Sequence, residues 1–378
     1  MKSEININTD ILLWAIERAG LSPVEFFIKF PNVQKWINKK KTPTIKQLEN
    51  FSKKVHVPFG YLFLDNLPEE KLPIPFFRSG NQGPRTVSLN VFDTVLLLQQ
   101  RQDWLRNYLS DNEFEPLSFV GKFKNVNNVH EIVSDIRTTM GLEENWASCF
   151  RYYEEALIFL TQKIEDIGII TVFNGVFDNN VYRKISVDDC RGFVLVDSMV
   201  PFMFVNNADW KSAQFFTLAH ELAHIWTGQS AGFDFREMQP ANVPGELLCD
   251  KIAAELLVPE NLFNKIWLEK SEFEYLAKYF KVSRLVIARR ALDTGKINKT
   301  QFFEFYNSYS VKKIEEKATK KPGGDFYKTT RKRLSITFSA HIINAVKSGD
   351  LLYRDAYRLT GLKGNTFHEF FSKYFATV

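Results

Sequence analysis

The stretch FFTLAHELAHIW, Phe215 to Trp226, holds two of the six histidines of a 378-residue chain, four positions apart around a glutamate. On an α-helix four residues turn through about 400°, so His220 and His224 lie about 40° apart, one turn above the other. Their rings can converge on one small ion. Glu221, offset by about 100°, is better placed to reach water beside that ion than to bind it. Two neutral imidazoles that hold a metal and a carboxylate that takes a proton from water are the parts of a zinc hydrolase. The flanking Phe215, Phe216, Leu218, Ala219, Leu222 and Ile225 are apolar, which predicts a helix buried nearly all round. Burying three such polar groups there costs on the order of several kcal/mol unless they are coordinated or paired.

A catalytic zinc takes three protein ligands, and GELLCDKIAAELLVP, Gly245 to Pro259, offers a second helix to supply the third. Glu246 falls 22 residues after His224, enough for a loop and a returning helix. The other reading of Glu246 is a first-turn carboxylate that favours the helix dipole. Asp250, one turn on, is placed to accept a ring N–H from a ligand histidine and fix its tautomer. Glu255 lies nine positions past Glu246, about 180° around the helix, and is expected at the surface.

Outward from this pair, short apolar runs bounded by Gly, Asn or Asp predict strands in GIITVF, RGFVLVD and PFMFVNN. Helical spacing dominates elsewhere, including Leu89–Tyr108, two stretches between Val129 and Ile164, and Leu276–Asp293, whose two halves break near Val282-Ser283. The prolines and glycines of Leu67–Arg85 read as a linker or extended arm. Between Val311 and Arg333 nine Lys/Arg face three Asp/Glu, a local net of +6 around Pro322-Gly323-Gly324, and a basic hinge is expected. The fold class is α+β, mainly helical, with a small β-sheet beside the pair of zinc helices and helical flanking domains.

The net charge of +5 permits nucleic-acid contact without demanding it. Three scattered cysteines, Cys149, Cys190 and Cys249, form no CxxC pair and suit a reducing compartment. No signal-like N-terminus or membrane-length apolar run is present, so a cytoplasmic protein without a membrane partner is expected.

FTLAHELAHI, followed by Glu246, Cys249, Asp250 and AAELLVP, closely resembles the ImmA/IrrE family of zinc metallopeptidases, with Cys249 and Asp250 where that family usually has Ala and Asn. The resemblance covers about 150–310. It implies Zn2+ on His220, His224 and Glu246, Glu221 as general base, and an endopeptidase that cleaves a DNA-binding repressor or similar regulatory protein. It also implies that PFMFVNN is a sheet edge that takes an extended substrate by strand addition. Residues 9–66 resemble a repressor-type (XRE) helix-turn-helix. Only Pro31–Lys35 separate Phe30 from Trp36, however, too few for the usual turn and recognition helix. A docking or dimerisation module is the other reading, and DNA contact is then expected to be non-specific, through basic segments.

The expected organisation is an XRE-like module over 1–66, a linker and helical region over 67–150, the peptidase domain over 151–310, the basic hinge over 311–333 and a helical region over 334–378. The competing functional reading is a regulator or antitoxin-like binding protein on the same fold that cuts little or nothing. An intact Glu221 favours the enzyme, because a binding module has no need of it.

Overall fold

A computed structural model of the chain describes residues 7–70, 72, 74, 76–78, 87–229, 231–234, 244–316 and 325–375. The chain divides into two units, Met1–Pro73 with Thr86–Val95 and Ile74–Arg85 with Leu96–Val378. The smaller holds α1 (Thr9–Arg18), α2 (Pro23–Lys29), α3 (Pro31–Ile37) and α4 (Ile45–Val55), then a 3-10 turn over Phe59–Phe63. Side chains set their ends. Asn8 accepts from the backbone at the start of α1, Pro23 and Pro31 open α2 and α3, and Thr44 and Gln47 cap α4 reciprocally. Ile11, Ile16, Phe26, Trp36, Leu48 and Phe51 form its core. Where the interval was read as too short for the usual turn and recognition helix, α3 forms over seven residues, burying Val33 and Trp36 and exposing Asn32, Gln34 and Lys35. Pro31 needs no N–H partner and has a helical φ already, so the helix starts directly after Phe30.

The larger unit is α+β and mainly helical. Its sheet draws on β1 (Phe76–Arg78), which lies in the stretch read as a linker; residues 71, 73, 75 and 79–85 of that stretch lie outside the described residues. The long helix α5 (Leu89–Asp111) begins in the smaller unit and continues in the larger. Then come α6 (Val129–Met140), α7 (Tyr153–Asp166), β2 (Ile170–Asn174), the hairpin β3 (Val176–Phe177) and β4 (Asn180–Lys184), β5 (Gly192–Leu195) and β6 (Phe202–Asn206). The central helix α8 (Lys211–Thr227) is followed by β7 (Ala231–Asp234), α9 (Pro244–Leu257), α10 (Glu260–Glu269), α11 (Phe273–Phe280), α12 (Arg284–Asp293) and α13 (Lys299–Glu316). The chain closes with α14 (Phe326–Leu334), α15 (Ile336–Ser348), α16 (Tyr353–Thr360) and α17 (Gly364–Phe375). Of the stretch read as a basic hinge, Pro322-Gly323-Gly324 lies outside the described residues, while Phe326–Arg333 is helical and α14 packs on β2.

The five-stranded sheet runs β1-β7-β5-β6-β2. β2 and β6 are parallel, in register from Ile170 opposite Phe202 to Asn174 opposite Asn206, and β5 pairs antiparallel with both β6 and β7. Asp197 makes the β5–β6 turn by accepting from the backbone of Met199 at 2.8 Å and Val200 at 3.1 Å. The segment PFMFVNN is therefore an interior strand, not the expected edge. Both sides of its backbone are already paired, so no peptide can add there. All five residues of β6 are buried, and apolar character on both faces is the mark of a central strand. No helix among the described residues is long and apolar enough to cross a membrane.

Candidate metal centre

α8 lies against β5 and β6 on one side and α9 on another. Fourteen of its residues, Gln214 to Thr227 without a break, are buried. Phe215, Leu218, Leu222, Ile225 and Trp226 all belong to the main core, and each such side chain contributes about 1.5–3 kcal/mol by leaving water. The helix stops at Gly228, whose φ of +73° places it in the left-handed region. That end lies one turn beyond His224, so both histidines sit in regular helix. α9 opens at Pro244, which puts Glu246 in its first turn.

The two helices bring the predicted residues together. His220 is 0% exposed, His224 1%, Glu246 2% and Glu221 1%. Their ligand atoms converge: His220 Nε2 lies 3.0 Å from His224 Nε2 and 3.1 Å from Glu246 Oε2, and His224 Nε2 is 3.4 Å from the same oxygen. Three atoms each bonded to one tetrahedral zinc at about 2.0–2.1 Å stand roughly 3.3 Å apart. The triangle matches that spacing, and His220, His224 and Glu246 form a group that can hold a metal ion. Asp250 Oδ1 is 3.0 Å from His220 Nδ1. A carboxylate there accepts the Nδ1 proton and leaves the Nε2 lone pair aimed into the triangle.

The electrostatics agree. Burial opposes charge on His220, but hydrogen bonds to Asp250 and Glu246 push its pKa up to about 10. Burial would raise Glu246, yet the two histidines hold it down to about 2. Burial lowers His224, against the pull of Glu246. The cluster is thus built around positive charge, which protons or a divalent cation can supply. Glu221 behaves differently. Burial raises its carboxyl to about 8, with Glu246 adding to the shift and His220 opposing it, and neither of its oxygens has a hydrogen-bond partner among the described residues. A buried carboxylate without a partner among the described residues is costly, and this one lies beside the convergent donor set.

Three features were not legible in the sequence. Glu255, expected at the surface, is 8% exposed and paired with the buried Arg290. Its place follows from α6, which packs on α9 and brings His130 Nδ1 to 3.7 Å from its carboxylate, and from the Arg290 side chain of α12. Cys249 Sγ lies 3.6 Å from His224 Nδ1, so the thiol stands behind the second histidine as Asp250 stands behind the first. Gly192 of β5 leaves no room for a side chain: a Cβ there would come within 2.3 Å of Thr217 Cγ2 and 3.1 Å of Glu221 Oε1. Of the residues following α8 and α9, Arg289 and Arg290 line a cavity of about 410 Å3 with Asp250 and Phe216. Arg289 pairs with Asp293, and Tyr275 is not among the residues that line this cavity.

Residues 178–292 match the model of a peptidase family described as the IrrE N-terminal-like domain. Residues 334–373 match a domain of unknown function (DUF8813). The first match spans α8, α9 and the interior strands, supports the resemblance to the ImmA/IrrE family and marks this part of the chain as metallopeptidase-like. No curated protein and no solved structure matches the chain.

Proposed function

We propose that the chain is a zinc-dependent endopeptidase whose substrate is a DNA-binding repressor or a similar regulatory protein. The observation that carries this reading is the pairing of a convergent His220–His224–Glu246 triangle with a Glu221 carboxylate that is buried and unpartnered among the described residues. A zinc ion held there supplies a Lewis acid that polarises a carbonyl and acidifies water. Asp250 fixes the tautomer and ring angle of His220. Glu221 takes the proton of the attacking water and hands it to the departing amine, a transfer worth roughly 10²–10⁴-fold. The cavity beside Asp250 receives a substrate side chain.

A second reading, a binding protein on the same fold that cuts little, draws on one observation. β7 pairs with β5, the strand that carries Gly192 next to Glu221, so that strand offers no free edge. The two readings are separated by zinc analysis of purified protein combined with sequencing of protein N-termini in cells that express the wild type or Glu221→Gln. The enzyme reading expects one zinc per chain in both, and new N-termini, in a regulatory protein, with the wild type alone. Identical N-termini in the two cultures at full zinc occupancy would establish the binding protein instead.

A further inference from the structure

Away from the metal centre, a cavity of about 590 Å3 opens between α7, the edge strand β2, α14 and the end of α17. Five cations reach it: Lys211, Lys328, Arg331, Lys332 and Lys373. Two carboxylates face them, and both are engaged. Glu154 pairs with Lys332 and, at 3.2 Å, with Lys211. Those two lysines hold its carboxyl below the usual range although burial opposes them. Glu165 accepts hydrogen bonds from Thr171 and from Thr337, the latter at 3.2 Å. Lys328, Arg331 and Lys373 are left without a carboxylate within ion-pair distance among the described residues.

This concentration of charge is not explained by the fold. α14 reads FYKTTRKRL, with four cations and no acid. Lys328 stands three residues from Arg331 and four from Lys332, the spacings at which like charges repel on a helix. Aromatic rings hold two of the cations at the cavity: Arg331 lies 5.5 Å from the Tyr374 ring, and Lys373 lies 5.0 Å from Tyr327 and 5.8 Å from Tyr374. The wall opposite is apolar, from Leu157, Phe173 and Ile336, while Thr161 and Gln162 add hydroxyl and amide groups. The volume is that of a small-molecule site.

We propose that this cavity binds a nucleoside mono- or diphosphate, its phosphate on Lys328, Arg331 and Lys373 and its ring between Tyr374 and the apolar wall. A terminal phosphate carries about −1.5 to −2 charge near neutral pH and matches three cations that, among the described residues, share only Asp325, the cap of α14, whose carboxyl pKa Lys328 and Lys373 help to lower. A phosphate without a ring leaves the apolar wall unused. A single-stranded nucleic acid calls for cations strung along a groove with successive stacking rings, whereas here Lys328, Arg331 and Lys373, each exposed to solvent, border a single cavity. Because the cavity joins α7, β2 and Lys211 of α8 to α14, α15 and α17, the ligand ties the helix that carries His220 and His224 to the C-terminal helices.

The test is titration calorimetry on the full chain with ADP, GDP, CDP, UDP and their monophosphates, beside inorganic phosphate, adenosine and a 20-nucleotide oligo-dT. At least one nucleotide is expected to bind with micromolar affinity, at least tenfold tighter than inorganic phosphate or the nucleoside. Lys328→Glu with Arg331→Glu should weaken it roughly 100-fold, and Tyr374→Ala roughly 10-fold, with far-UV circular dichroism and zinc content unchanged. Should the charge reversals disturb folding, Lys328→Gln with Arg331→Gln serves as the milder pair, expected to cost about 10-fold. The proposal is overturned if no nucleotide binds below about 1 mM, if the folded variants bind as the wild type does, or if oligo-dT binds more tightly than every nucleotide.

Discussion

Replacing Asp250 measures how much of the metal centre depends on a residue behind the donor atoms. Its Oδ1 is 3.0 Å from His220 Nδ1, and its side chain is 25% exposed. Removing such a partner of a ligand histidine costs about 10–100-fold in metal affinity, or about 1.4–2.8 kcal/mol at 1.4 kcal/mol per tenfold. Partial exposure lets water replace some of the lost interaction, so Asp250→Ala should fall in the lower part of that range, roughly 10–30-fold. Asp250→Asn keeps an oxygen that accepts the Nδ1 proton and loses only the charge; it should cost less than about tenfold. His224→Ala, which deletes a donor atom of the triangle, should abolish most zinc binding. The assay is competition for zinc with a chromophoric chelator at fixed pH, with circular dichroism as the folding control. Wild-type affinity in Asp250→Ala would refute the positioning role. Zinc loss as complete as in His224→Ala would make Asp250 a direct ligand.

Glu255→Ala leaves Arg290 buried and unpaired apart from Glu260 at 3.9 Å, and should cost about 3 kcal/mol in urea unfolding followed by tryptophan fluorescence. Replacing both residues by methionine should cost much less, and a loss below about 1 kcal/mol in the single variant would contradict the burial of the pair. Gly192→Ala pushes a Cβ against Thr217 Cγ2 and to 3.0 Å from the backbone oxygen of Phe204, so overpacking of about 1–3 kcal/mol is expected. Adding Thr217→Ser, which removes Cγ2, should recover part of it; no recovery would mean that the backbone contact dominates.

The convergence of His220, His224 and Glu246 into a group that can hold a metal was legible in the sequence because its geometry is local. His220, Glu221 and His224 belong to one helix, and Glu246 and Asp250 to another, so a repeat of 3.6 residues assigns their faces before any packing is known. The strands over 170–174, 192–195 and 202–206 were equally visible as short apolar runs. Their order was not. PFMFVNN reads the same whether it lies inside a sheet or at its edge, and only the pairing of β2 and β5 on its two sides decides the matter. Nor could the helical wheel of α9 place Glu255, since that side of the helix meets water or protein according to where α6 and the Arg290 side chain come to lie. The basic run at 326–333 likewise looked like a hinge, because charge alone does not tell a solvated turn from a helix that lines a cavity. Spacing along the chain determined which groups can act together. Contacts between distant segments, such as the hydrogen bond from Arg101 Nε to the Leu359 carbonyl 258 residues on, were settled by tertiary packing alone, because no local period connects them.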